Sequence, residues 1–283
     1  MPKLTWLKYL LKEKRPVFIR NLIRMAVFHR TPFRVLLENI LEITENFNAG
    51  FTFPIVASVA LQRPELIRLI NDFHQEIASH GFKHVKYPYF SSEEQRRDIE
   101  KSLWAFKKLG VSIRGFRAPY NAYDKQTPKI LEKFNLLWDG GIGYAPQYRE
   151  KKNFFRIWLE DHESNFVCIP LNTWSDDAMI DRYGLENHQM VKILKAIIKQ
   201  VAEDHGIVMF DLHPIRIGQR KYVGVLEQIL EYGAELNGWF PTVTEAVEQW
   251  LKHKEWKDDA SFCCLLTGDI DNFAFSDYLR RIF

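Results

Sequence analysis

Cysteine is scarce, with Cys168 and the adjoining Cys263 and Cys264 the only three among 283 residues. That number and spacing exclude a disulfide framework and a cysteine-rich zinc site, and they point to a reducing compartment. Long apolar runs are also missing. No stretch approaches the ~20 apolar residues of a membrane span. Lysines interrupt the opening Met1-Pro2-Lys3-Leu4-Thr5-Trp6-Leu7-Lys8 before signal-peptide length is reached, so a cytoplasmic protein is expected. Repeats and low-complexity tracts are absent. What remains is 46% hydrophobic with only 12 prolines, enough for one large core and a single domain over 1–283.

Acidic charge is nearly lacking in the first 36 residues. Lys3, Lys8, Lys12, Lys14, Arg15, Arg20, Arg24, Arg30 and Arg34 face Glu13 alone, although the whole chain carries a net charge of only +3. Interleaved with Trp6, Leu7, Phe18, Ile19 and Ile23, this segment (1–47 with its continuation) could make peripheral contact with an anionic membrane or meet a phosphorylated substrate. The plainer alternative is a solvated basic face on helices packed against the remainder. No recognised nucleic-acid-binding motif accompanies the charge, and no nucleic-acid partner is expected.

Short β-branched or aromatic runs alternate with longer helical patterns, which reads as α/β. Thr31-Pro32 suggests an N-cap and first-turn proline opening a helix through Leu36, Leu37, Ile40, Leu41 and Ile43. Strands are expected at 51–56, 113–117, 136–138, 166–170, 207–212 and 239–243. Helices are expected over Pro64 to Ala78, from a Ser92/Gln95 capping box to Gly110, and around 125–135, 188–204, 221–236 and 244–252. The order fits a (β/α) barrel, distorted and TIM-like, with its main part over 48–252. One further strand, Phe262 to Thr267, follows the last of these helices and runs into Gly268-Asp269-Ile270-Asp271.

Four groups could carry chemistry. His80 and His84, four apart, can bring two imidazoles to one metal ion; alone, such a pair is more often two packing or surface histidines. Asp269-Ile270-Asp271 could supply a third ligand and a separate base, or two solvated acids. Arg117-Ala118-Pro119-Tyr120 follows one expected strand. Asp211-Leu212-His213-Pro214 follows another, and a histidine at a strand tip suits an acid catalyst, or else a turn hydrogen bond.

Taken in order, these groups resemble the polysaccharide deacetylase family, also called the NodB homology domain or carbohydrate esterase family 4. Gly50-Phe51-Thr52-Phe53-Pro54 resembles the family's "ATFF" strand, and the run from His74 to His84 resembles its "GHEIGSHGYSH" motif. Arg117-Ala118-Pro119-Tyr120 matches R-x-P-Y, Trp174-Ser175-Asp176-Asp177 its tryptophan and aspartate motif, and Leu212-His213 its closing L-H. The family's opening "TFDD" strand has no counterpart before Phe51. Its equivalent is the D-x-D at Asp269 and Asp271, so the resemblance implies a circular permutation with the first strand at the C-terminus (260–283). Moving strand one of a barrel to the end keeps its neighbours and changes only the connections.

The resemblance further implies that His80, His84 and Asp271 bind zinc or another divalent transition metal, and that Asp269 is the base. It implies that Arg117 orients that base and that the backbone N–H of Tyr120 helps hold the oxyanion. His213 protonates the leaving amine, steadied by Asp176 or Asp177, with Asp176 preferred. Trp174 is either a wall for a sugar ring or a core residue. Gly81 stands where the family usually has serine or threonine, which implies a looser histidine loop. The expected activity is hydrolytic deacetylation of an N-acetylated sugar or glycan, such as a precursor of surface polysaccharide. The alternatives are an amidohydrolase on a non-sugar C–N bond and an inactive glycan- or membrane-binding protein of the same fold.

Overall fold

The computed structural model describes residues 15–171 and 173–282. The start of the basic segment, with Lys3, Lys8, Lys12 and Lys14, lies outside the described residues. The strands are β1 (Phe51–Ile55), β2 (Glu76–Ser79), β3 (Gly115–Phe116), β4 (Trp138–Gly143), β5 (Trp158–Leu159), β6 (His162–Glu163), β7 (Val167–Pro170), β8 (Ile207–Asp211), β9 (Gly238–Trp239) and β10 (Phe262–Thr267). The helices are α1 (Arg15–Phe28), α2 (Phe33–Asn46), α3 (Ala57–Ala60), α4 (Pro64–Asp72), α5 (Ser92–Lys108), α6 (Thr127–Leu131), α7 (Asn187–Glu203), α8 (Pro214–Ile217), α9 (Val223–Glu235), α10 (Val243–His253) and α11 (Phe275–Ile282).

Parallel pairing orders the main sheet β7-β4-β3-β2-β1-β10-β8, with β9 beside the start of β10. The outer strands approach each other, and Thr173 Oγ1 donates to the Met209 carbonyl at 2.8 Å, so the sheet forms a nearly closed, distorted barrel. The late strand β10 sits between β1 (Phe51 opposite Leu266) and β8 (Leu266 opposite Phe210). It places Asp269 and Asp271, which directly follow it, next to the chain's first strand.

Period-two alternation sorts the residues of β8 and β10 between two cores. Ile207, Met209, Cys263 and Leu265 join Ala78, Trp138, Val167 and Ile169 inside the barrel, and Val243, Ala246 and Val247 of α10 close its N-terminal end. The alternate residues Val208, Phe210, Phe262, Cys264 and Leu266 join Phe51, Phe53 and Ile55 in the layer beneath the helices, with Leu36, Leu37 and Ile40 of α2. Each such fully buried apolar side chain stabilises by about 1.5–3 kcal/mol. Carrying the inward alternation one step further brings Asp211 and Thr267 to the mouth.

Several local expectations shift. The helix expected over Pro64 to Ala78 stops at Asp72: His74 adopts a left-handed φ of 54°, and the chain re-emerges as β2, paired on both sides. Ladder pairing overrides helical propensity there. The capping box is Ser91 with Glu94, one residue early, because Gln95 is drawn inside to bond the Tyr87 carbonyl and Asp124. Thr31 does not cap α2; Pro32 precedes it, and Thr31 bonds Gln219. The strand expected at 239–243 is cut short because Thr242 caps α10, whose box partner is Glu245.

Candidate active site

All the main strands point their C-terminal ends the same way, and the loops leaving β2, β3, β8 and β10 converge there. His80 directly follows β2, its N–H donating to the Ile55 carbonyl at 3.0 Å. A carbonyl can only accept, so the 2.8 Å contact between His80 Nδ1 and the Arg117 carbonyl makes Nδ1 the protonated nitrogen. Its Nε2 is then a bare lone pair. That atom is buried without a hydrogen-bond partner among the described residues, and burial foremost lowers the His80 pKa to about 4. A neutral, oriented imidazole with an unsatisfied buried lone pair has the chemistry to hold a metal ion.

His84 Nε2 lies 3.0 Å from Asp271 Oδ1, and His80 Nε2 lies 3.6 Å from the same oxygen. One ligand atom from each of His80, His84 and Asp271 falls within 4.8 Å of the others, so the three residues fit a divalent transition metal. The loop between the histidines is well tied. Asp98 accepts from the N–H groups of Phe82 (2.8 Å) and Lys83 (3.2 Å) and from the Tyr87 hydroxyl (3.2 Å). Gly81 has φ +74°, and a Cβ there would stand 2.9 Å from Asp98 Oδ2. Glycine therefore lets the loop close on Asp98, contrary to the looser loop expected.

Asp269 and Asp271 do emerge on one side, because Ile270 is buried in the outer core and bridges to Ile55. Asp269 Oδ1 accepts from Arg117 Nη1 at 2.9 Å, while Oδ2 stands 3.5 Å from His80 Nε2. Burial raises the Asp269 pKa, against the opposing pull of Arg117. Arg117 is fully buried. It also donates to Asp211 Oδ1 (3.1 Å), Thr267 Oγ1 (2.7 Å) and the Gly140 carbonyl (3.1 Å). Burial works against its charge, but Asp269 and Asp211 more than offset this and its pKa stands above the usual value.

His213, at the N-terminus of α8, bonds Asp176 Oδ1 through Nδ1 at 2.7 Å and lies 4.0 Å from Asp211. Burial would lower its pKa, yet Asp211 and Asp176 together raise it well above the usual histidine value. Asp177 instead takes the Ser175 hydroxyl, so Asp176 is the partner. Tyr120, at the turn after β3 with φ 61°, holds its half-exposed ring tilted against that of His84, with 4.4 Å between the ring centres. Trp174 is no core residue: it is 42% exposed and stacked on Tyr183 at 4.9 Å.

Sequence reasoning gave no role to Asp211 and Thr267. Their signal was the alternation Ile207, Met209, Asp211 and Cys263, Leu265, Thr267, which marks both as inward residues at strand ends. Tyr123 and Asp139 also went unremarked. The Tyr123 hydroxyl donates to Asp139 Oδ2 (2.8 Å) and accepts from the Ala118 N–H (2.9 Å), bracing the turn after Arg117.

Residues 27–137 match the family model described as polysaccharide deacetylase. Chitin deacetylase 1 of Saccharomyces cerevisiae is 32% identical over 92 residues, covering 31% of this chain and 31% of that protein. The chain spans about a third of the length of the curated relatives it matches. A putative polysaccharide deacetylase from Mycobacterium smegmatis superposes with a TM-score of 0.71 at 22% identity, over 88% of this chain and 87% of that one. A probable polysaccharide deacetylase from Pseudomonas aeruginosa gives 0.67 at 18% identity, over 83% and 77%. Both share the fold.

Proposed function

We propose that the chain, whose residues 27–137 match the polysaccharide deacetylase model, is a member of that family and hydrolyses the N-acetyl amide of a sugar, with a divalent metal, zinc foremost, held by His80, His84 and Asp271. The observation that carries the reading is the convergence of these three ligand atoms beside Asp269, whose second oxygen faces the same point. When bound there, the metal supplies Lewis acidity to the substrate carbonyl and to water.

The chain's own groups divide the remaining work. Asp269 takes the proton of the attacking water on Oδ2, while Arg117 fixes Oδ1 and keeps the carboxylate aimed. The backbone N–H of Tyr120, presented by its left-handed turn, helps stabilise the oxyanion. His213 is cationic at neutral pH, and because Nδ1 is engaged with Asp176, the Nε2 proton is the one delivered to the departing nitrogen. Attack at the acetyl carbon, collapse with C–N cleavage and this protonation yield acetate and the free amine. Trp174, exposed on Tyr183, offers a flat face to a sugar ring.

The place of β10 between β1 and β8 supports the circular permutation: the strand bearing base and carboxylate ligand occupies the slot beside β1 although it comes last. Acetate release from N-acetylglucosamine oligomers, abolished by chelation and restored by zinc, tests the function. Absence of release with a full complement of metal refutes it.

A further inference from the structure

The basic helix α1 lies at the active-site end of the barrel. Arg24 Nη1 pairs with Asp181 at 2.9 Å, and Asp181 in turn binds Arg216, three residues beyond His213. His29 Nε2 meets Asn272, the neighbour of Asp271, at 2.7 Å. Met25 is buried between these anchors. On an α-helix the opposite face falls at Ile23 and Val27, four residues apart, and they are 60% and 46% exposed. Val35, at the start of α2, is 40% exposed. It lines a groove of about 510 Å³ with Arg220 and Lys221, which Gln219 ties to the end of α1 through the Phe28 carbonyl. Exposed Arg220 and Lys221 share the groove with Val35, and exposed Arg30 follows α1 in the chain, so basic and apolar side chains are both presented to solvent along these elements.

We propose that this face docks the chain peripherally on an anionic lipid surface, with the metal-ligand end of the barrel turned toward the bilayer. Charge complementarity selects the occupant: residues 1–36 hold nine basic residues against one acidic, and basic side chains interleaved with apolar ones suit phosphate headgroups over acyl chains. Arg182, Trp174 and Tyr183 belong to the loop that holds Asp181, and exposed aromatics of this kind settle at a bilayer interface.

Cosedimentation of the full chain with phosphatidylcholine vesicles, with and without phosphatidylglycerol, tests the docking. Binding is expected only with phosphatidylglycerol, and it should fall steeply with salt. I23D/V27D and R220E/K221E should each weaken it about tenfold or more, with melting curves and acetate release from a soluble oligomer unchanged. Since the native cysteines are buried, an environment-sensitive probe at Val27→Cys should shift to the blue on vesicles, while one at His253→Cys, on α10 at the far end, should not. Equal binding to both vesicle types, variants that bind as the parent does, or a shift at position 253 overturns the docking. Loss of acetate release with vesicle binding intact would count against the hydrolase reading alone.

Discussion

Replacing Asp176 by asparagine isolates the electrostatic support of His213. The carboxylate lies 2.7 Å from Nδ1 in a buried setting. With charge centres about 4 Å apart and an effective dielectric of about 20, one such pair is worth about 4 kcal/mol. Asparagine keeps an acceptor for Nδ1–H and Asp211 remains nearby, so the net loss should be about 1–2 pKa units, or about 1.4–2.7 kcal/mol. His213 is raised above its ordinary value, so its proton-donating form persists as pH climbs. Without Asp176 that form is lost at lower pH, and the alkaline limb of kcat/KM should move down by about 1–2 units. The acid limb, set by Asp269, should stay. The assay is the pH profile of acetate release, paired with direct titration of the imidazole by NMR, and Asp177→Asn should shift the limb less because Asp177 is held by Ser175. An unmoved alkaline limb in Asp176→Asn, or movement of the acid limb instead, refutes the assignment.

His80→Ala and Asp271→Ala should each reduce bound zinc from about one per chain to a small fraction, measured by elemental analysis after dialysis; retention in the Asp271 variant would remove β10 from the site. Arg117→Met strands Asp269 and Asp211 as buried, uncompensated acids and should cost about 3–5 kcal/mol in denaturant unfolding, whereas Arg117→Lys keeps the charge, loses the fork and should lower kcat more than it raises KM. Gly81→Ala should cost about 1 kcal/mol or more, since φ +74° and the nearby Asp98 oxygen both oppose a Cβ, and should weaken zinc binding. Burial raises the Asp139 pKa to about 6; the protonated form is favoured in the fold, so its contribution is full below pH ~4 and lost as pH rises through ~6, by about 3 kcal/mol. Asp139→Asn should flatten that part of the stability profile in thermal or urea melts.

His80 and His84, the arginine after β3 and the acid pair after β10 were legible because each combines a chemically demanding residue type with a strand end. β10 itself was legible as an unbroken apolar run, Phe262 to Leu266. The stretch from Pro64 to Ala78 was not, since its apolar residues satisfy a helical stripe throughout and only the left-handed turn at His74, set by tertiary pairing of β2, divides it. The Ser91/Glu94 and Ser92/Gln95 boxes are indistinguishable in sequence; the burial of Gln95 decides between them. Asp211 and Thr267 were hidden because their role is to surround Arg117, and a buried guanidinium network depends on which strands are neighbours. The bracing of Gly81 by Asp98 is likewise a contact between a loop and a distant turn of α5.

The slot taken by β10 has a consequence for how the protein is made. Arg117 and Asp269 are 152 positions apart in sequence, and the histidines precede Asp271 by still more. During synthesis the imidazoles leave the ribosome long before their carboxylate companion, while β1 and β8 wait with an open seam between them. Insertion of β10 is a long-range step of the kind that slows folding. Closing that seam and bringing Asp269 and Asp271 to His80 and His84 are therefore one event, and the proposed metal site is not assembled before β10 arrives.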